Sequence, residues 1–448
     1  MGVMFAERQV LVGLVVGYFL LLLWWGMRGH QRSTQGSAFL TGNQSFGWVF
    51  CALSLVSTII GGSATLGMGG LALKQGAAAF WWLGVGAIGL LIHGWLIVPK
   101  IRSMNAVTLP EVVDHVAGPW ARKVTAVIIA LSWVAITAAQ FVALFALYES
   151  LAGKPWGGVL YTLTVFGILY HTGVGGQRGV IRTDALQAIL LLVGFLGAAL
   201  WLVGAMPERV ANTTWHFFSE RFGVLDLVQL MLLVGITYII GPDMFSRTFA
   251  AKSTEAARRA TWLAAPLMVL FSVVITLLAL SNLEAKQPIG DWLGSASALP
   301  FILKAMLALG LISALSGSAD TVLLSAAGII ERDILGGNRT RVIQWLVFAM
   351  GILAALTVFV EGNIIKLLLT GYAFYVPGVA MPLLVSLLLP TRPLHTTVWL
   401  VGALLGGVCG LCANLFGASY FTLIGMAISA LGALAAWVFP KRGVLVNS

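Results

Sequence analysis

The stretch from Leu311 to Ile334, LISALSGSADTVLLSAAGIIERDI, sets small hydroxyl residues and one acid into an otherwise apolar run. With Ala314 as the origin of a helical wheel, Ser318, Thr321 and Ser325 follow at i+4, i+7 and i+11, so their oxygens share one narrow stripe. Gly317 falls on the same stripe, and Asp320 stands at its edge, roughly 60° from Gly317 on a 3.6-residue wheel. A row of hard oxygen donors beside a carboxylate suits a small cation such as Na+. The competing reading of this stretch alone is close helix packing in a membrane through small and hydroxyl residues.

An element able to hold such a stripe must lie in a bilayer. Hydrophobic residues make up 59% of the chain and charged ones only 9%, and mean hydropathy is +0.96, values that exclude an ordinary soluble domain. The net charge of +10 would suggest nucleic acid in a soluble protein; here the placement of basic residues in loops explains it, and no nucleic-acid partner is expected. Cys51, Cys409 and Cys412 lie in apolar segments without a histidine cluster, which supports neither zinc nor a disulfide framework.

Thirteen apolar segments reach the roughly 20 residues a bilayer requires: 9–27, 47–72, 77–98, 120–149, 155–173, 180–205, 225–248, 260–281, 299–330, 341–360, 363–390, 396–416 and 420–439. The first is read as a true span rather than a cleaved leader. Basic residues gather in alternate loops, among them Arg28 and Arg32, Lys100 to Lys123, Arg178 and Arg182, Arg247 to Arg259, Arg332 to Arg341, Arg392, and Lys441 with Arg442. Positive loops stay inside, so the expectation is an outer N-terminus, an inner C-terminus and a plasma-membrane location. With short connectors throughout, 1–448 reads as a single transmembrane domain without a soluble catalytic module.

Two spans are interrupted by helix breakers, Gly61-Gly62 in the second and Gly241-Pro242 in the seventh. The two breaks are five spans apart, and an odd-membered repeat reverses direction in the membrane. Matching breaks in two five-helix halves point to an inverted-repeat transporter with its site at mid-depth. Against this stands the abundance of glycine in membrane helices generally.

The motifs AFLTGNQSFGW (38–48), ALSLVSTIIGGSATLGMGG (52–70), NAVTLPEVV (105–113), GGQRGVIRTDALQ (175–187), FSRTFAAKS (245–253) and SGSADTVLLSAAGIIERDI (316–334) resemble, in order, signatures of the solute:sodium symporter family. The last is most similar to the choline-transporter-like branch. The resemblance implies an all-α membrane fold of about 13 helices with a ten-helix core like that of the leucine transporter: a first helix and loop at 1–46, repeats at 47–205 and 225–390, and two peripheral helices at 391–448. It further implies a main Na+ site from the carbonyls of Ser57, Ile60 and Ala314 and the Ser318 hydroxyl. Gly317 departs from the pattern, standing where many relatives have a second hydroxyl. Asp184 matches an acid of a second Na+ site in some relatives, with Asp320 and Thr321 facing it. On residues alone, pairing of Asp184 with neighbouring Arg182 is the alternative.

The implied solute pocket lies between the breaks. Its candidates are Thr58, Ile59, Ser63, Phe80, Trp81, Gln140, Tyr238, Asp243, Tyr372 and Tyr375. Amides freed by a broken helix favour a carboxylate, whereas Asp243 and the aromatics favour an amine or quaternary ammonium, and both remain open at this stage. His93 and His171 are isolated in their spans, so a membrane enzyme is not expected. The reading is a secondary symporter that couples inward Na+ flow to uptake of a small polar organic solute. The alternatives are a transporter-like sensor or a proton-coupled symporter.

Overall fold

A computed structural model describes residues 2–28, 35–282, 288–293, 297–416 and 420–439. Of the basic residues assigned to loops, Arg32, Lys441 and Arg442 lie outside this set. Fifteen helical segments organise the site: α1 (Gly2–Arg28), α2 (Trp48–Ile59), α3 (63–75), α4 (81–103), α5 (Leu109–Ala117), α6 (Pro119–Ala152), α7 (Trp156–Ala205), α8 (224–239), α9 (Pro242–Ala250), α10 (Thr254–Leu280), α11 (Phe301–Ile334), α12 (Thr340–Phe359), α13 (Ile364–Leu388), α14 (Thr396–Phe416) and α15 (Tyr420–Val438).

Among the described residues, ten helices are long and apolar enough to cross a membrane, against the thirteen segments expected, with shorter apolar helices at Val12–Trp24 and Trp48–Ile59. Two local causes account for much of the difference. Segments 155–173 and 180–205 run on as the single 50-residue α7, bent where Gly176 adopts φ 55 and ψ −162. A side chain there would strike the ring of Phe39, its Cβ 2.5 Å from the nearest ring atom, so the bend needs glycine for both backbone and space. Segment 47–72 is divided by its break, and its second half continues into the next segment as Ser63–Ser103.

Both breaks fall on the predicted residues. Helix α2 ends as Ile60 leaves the helical region (φ −86, ψ 70) before Gly61-Gly62, and the chain resumes as α3. Helix α8 ends at Ile240 (φ −126, ψ 93), and Pro242 opens α9, a position where its missing N–H costs nothing. A short cross-connection ties the two regions, with Phe46 N donating to Ala250 O at 3.3 Å and Lys252 N to Phe46 O at 2.9 Å.

Helix α11 is buried on almost every side, and its most extensive partner is α7. The periphery is the reverse: Leu131, Leu163, Leu200 and Trp345 are 61%, 61%, 72% and 74% exposed. Such a surface suits lipid tails rather than water.

Candidate cation and solute sites at the helix breaks

Helix α11 carries two polar stripes where its sequence suggests one. The expected stripe faces the break in α2: Ser318 Oγ donates to Thr58 O at 2.6 Å and lies 3.4 Å from Ser57 O, and Thr321 Oγ1 is 3.1 Å from Thr58 Oγ1. The second stripe, Ser313, Ser316 and Asp320, turns toward α1 and α7. Tyr18 OH meets Ser313 Oγ at 2.7 Å, and Gln187 Nε2 donates to Ser316 Oγ at 3.2 Å. Asp320 Oδ2 stands 3.8 Å from His171 Nδ1, and its Oδ1 is buried without a hydrogen-bond partner.

Between the stripes lies Gly317. A Cβ built there would sit 2.2 Å from Ser57 Oγ, 2.5 Å from Gln187 Oε1 and 3.1 Å from Asp184 Oδ1. The space beside Gly317 is therefore ringed by hydroxyl, amide and carboxylate oxygens from α2 and α7. Asp184 is fully buried. Its Oδ2 accepts from Ser54 Oγ at 2.5 Å and from Arg247 Nη2 at 2.8 Å, while Oδ1, which points into this space, has no hydrogen-bond partner.

Arg247 corrects two expectations. It is 1% exposed rather than a loop residue, and it, not Arg182, is the partner of Asp184. Residues two apart on a helix point to different faces, so Arg182 and Asp184 do not face each other, whereas α9 places Arg247 one turn beyond Asp243 and inward. Its Nε also donates to Ser54 Oγ and its Nη1 to Ser246 Oγ, both at 2.9 Å, and Nη2 reaches Thr321 Oγ1. Ile60 and Ala314, proposed as carbonyl ligands, are both fully buried beside this cluster.

Seven of the pocket candidates line one cavity of about 40 Å3: Thr58, Ile59, Ser63, Gln140, Tyr238, Asp243 and Tyr372, together with Ile136, Met244, Ser318, Val322 and Leu368. Three do not. Phe80 and Trp81 lie at the start of α4, where their rings pack on Phe217 with centroids 5.2 and 6.4 Å away, and Trp81 Nε1 donates to Phe217 O at 3.1 Å. Tyr375 shares the helix face of Tyr372 but is committed elsewhere: its hydroxyl donates to Ile240 O at 2.7 Å and its ring packs against Trp133.

A larger cavity of about 250 Å3 opens on the side of Gln75 and Asp226. Ile365 and Leu369 line it and Leu368 and Tyr372 line the smaller one; at i, i+4, i+3 and i+7 they share one face of α13, so both cavities lie along that face.

Sequence reasoning missed Gln187, Arg247, Trp133 and Ser54. A signal existed for two of them. Gln187 follows Asp184 at i+3 in RTDALQ, on the same helix face, and Arg247 is the single base within nine residues of the second break, at i+4 from Asp243.

The sodium:solute symporter family model matches residues 39–410. Sodium/proline symporter 2 of Staphylococcus saprophyticus is 25% identical over 279 residues, covering 57% of this chain and 53% of that protein. A sodium/proline symporter of Staphylococcus aureus is 24% identical over 287 residues, covering 59% and 55%. The matches thus span only about half the length of these curated relatives. In structure, the chain is similar to a substrate-bound, outward-open Na+-coupled sialic acid symporter, with a TM-score of 0.78 at 15% identity over 97% of this chain and 99% of that one. It is also similar to a nucleobase-cation-symport-1 family transporter in a closed conformation, with a TM-score of 0.58 at 12% identity over 92% and 97%. These likenesses establish the inverted-repeat symporter fold, and the match across most of the sequence establishes more: the chain is a member of the sodium:solute symporter family.

Proposed function

We propose that this protein couples the inward flow of Na+ to the uptake of a small polar organic solute across the plasma membrane, with its C-terminus on the inner side. The observation that carries this reading is the oxygen-ringed space beside Gly317. No carbon fits on Gly317 because the oxygens of Ser57, Gln187 and Asp184 converge on its face, and such hard oxygen donors are what a cation like Na+ takes. Asp184 Oδ1 is a buried oxygen there with no partner, and leaving such an atom unsatisfied costs free energy that a cation would recover.

The ion is accordingly held by Ser57 Oγ, Gln187 Oε1 and Asp184 Oδ1, with the carbonyls of Ile60 and Ala314 completing the set. Ser318 gives its hydroxyl proton to Thr58 O, as Ser57 gives its own to Gln187 Oε1, so both oxygens keep lone pairs to turn to the cation. A second cation would be held on the other stripe by Asp320 Oδ1, whereas Thr321 is already engaged by Arg247 and Thr58. Each Na+ moved inward contributes about 2.3 kcal/mol per 100 mV of membrane potential.

Initial uptake into vesicles under a Na+ gradient tests the assignment. Ser57→Ala and Gln187→Ala should each raise the Na+ concentration for half-maximal uptake at least fivefold. Uptake that is equally fast when K+ replaces Na+ would sink the proposal.

A further inference from the structure

Among the described residues, Asp243 is the one charged side chain that lines the cavity between the breaks, and no basic side chain lines it. The first amide beyond the α2 break, Gly62 N–H, donates to Gln140 Oε1 at 2.7 Å, and in the second break Pro242 has no amide to offer. Arg247, one turn along α9, is committed to Asp184, Ser54, Ser246 and Thr321. Two carbonyls of the second break are satisfied from outside the cavity: Ile240 O accepts from Tyr375 OH, and Ile239 O is 2.8 Å from His93 Nδ1.

The Asp243 carboxylate is positioned rather than neutralised. Trp133 Nε1 donates to its Oδ1 at 2.8 Å, an indole being a donor without charge, and no basic side chain forms an ion pair with it among the described residues. Tyr238 and Tyr372 line the same cavity, and aromatic faces attract cations through their quadrupole. Ile59, Ile136, Met244, Val322 and Leu368 supply apolar contact for alkyl groups.

We infer that the solute this site selects is a small organic cation, an ammonium or quaternary ammonium compound without a carboxylate, and that Asp243 is its counter-ion. This rests on the symporter reading above. It gives the two kinds of lining residue distinct work, with tyrosine rings and Asp243 around the charged nitrogen and the aliphatic side chains around its substituents. A zwitterionic amino acid would place its carboxylate in a cavity whose one charged side chain, among the described residues, is itself a carboxylate and where no basic side chain meets it.

The test is thermal unfolding of the purified full chain in Na+ or K+ with choline, tetramethylammonium and ethanolamine, set against 3,3-dimethylbutan-1-ol, the neutral isostere of choline, and L-proline and acetate. The expected result is stabilisation by one or more of the cations in Na+, with none from the neutral isostere or acetate and at least tenfold weaker binding of L-proline. In Asp243→Asn, which keeps an acceptor for Trp133, cation binding should weaken at least tenfold, while the response to Na+ alone is retained and shows the variant to be folded. Asp243→Glu should restore part of the affinity. Binding confined to L-proline or acetate, no response to any of the cations, or unchanged cation binding in Asp243→Asn overturns the inference. Na+-dependent stabilisation by a neutral or anionic solute would remove it while leaving the symporter reading standing, whereas loss of Na+ dependence for every solute would remove that reading as well.

Discussion

Helix α11 runs through two clusters of buried charge built to opposite plans. Where it ends, Glu331 and Asp333 meet a lattice of guanidinium groups. Arg122 reaches Asp333 at 2.7 Å and Glu111 and Asp114 at 3.3 Å, Arg332 reaches Glu111 at 2.5 Å, and Arg339 reaches Glu331 at 3.2 Å. Each of those four acids has an arginine. At the breaks, three carboxylates, Asp184, Asp243 and Asp320, have one arginine beside them among the described residues, and it pairs with Asp184. A deficit of positive charge at depth is costly unless something mobile fills it. The paired cluster joins α5, α6, α11 and the start of α12 into one fixed end, while the deficient one is left ready for cations that come and go.

Breaking the one pair in the deficient cluster should have the largest effect. Asp184→Asn leaves Arg247 buried beside a neutral amide and Thr321, and loss of one partner of a buried pair costs about 3–5 kcal/mol. The expected outcome is a sharp fall in the yield of folded protein and no Na+-dependent uptake. Adding Arg247→Gln should recover much of the thermal stability and none of the transport. If the double variant transports normally, the pair has no part in cation handling.

The spans, both breaks and the Ser318 stripe were legible because they rest on local rules: hydropathy over about 20 residues, the backbone limits of Gly and Pro, and helical periodicity. The rest depended on how helices are rotated against one another. Ser313, Ser316 and Asp320 also form a stripe, at i, i+3 and i+7, but nothing in the sequence reveals that α1 and α7 cover it with Tyr18, His171 and Gln187. Arg247 looked like one more basic loop residue because the count of positive charges does not distinguish a cytoplasmic arginine from one folded inward. Phe80 and Trp81 have the right chemistry for a pocket, but their rings pack on Phe217, a residue far along the chain to which the local sequence does not point.

The next test separates a cation cradle from a site short of a ligand. Gly317→Ser would restore a hydroxyl, yet its Cβ would fall 2.2 Å from Ser57 Oγ and 2.5 Å from Gln187 Oε1. Overpacking of this kind costs about 1–3 kcal/mol. Maximal uptake should fall at every Na+ concentration, and the thermal midpoint should drop. A lower half-saturating Na+ with an undiminished maximal rate would show instead that the chain merely lacks a ligand.

In the fully paired cluster the effect should be smaller and of another kind. Arg122 is a quarter exposed, and of its acids Glu111 keeps Arg332 while Asp333 loses the one arginine that pairs with it among the described residues. Arg122→Ala is expected to lower stability by about 1–2 kcal/mol, an estimate between those for exposed and buried pairs. Half-saturation for Na+ should stay unchanged. A shift in Na+ affinity comparable to that of Gln187→Ala would erase the contrast between the two clusters.

The smallest effect belongs to a pair outside both clusters, which serves as the solvent-facing end of the series. Lys366 Nζ lies 2.5 Å from Glu361 Oε2 at the start of α13, with the lysine side chain 65% exposed. The hydrogen bond from Lys366 holds the Glu361 carboxyl below the usual range for glutamate. A carboxyl whose value is lowered on folding adds stability that is present above its unfolded value, about 4.3 for Glu, and is lost as pH falls through the folded value. Lys366→Gln should therefore lower the thermal midpoint by less than about 1 °C at pH 7, since exposed pairs contribute little. The difference between wild type and variant should shrink as the pH falls below the ordinary glutamate range, and high salt should shrink it at neutral pH because exposed charges are screened. Salt should leave the Asp184→Asn penalty nearly untouched, because the Asp184–Arg247 pair is sealed from solvent. Equal salt sensitivity in the two variants would mean that water reaches the mid-depth cluster, and the distinction between a sealed, charge-deficient site and a solvated pair would fail.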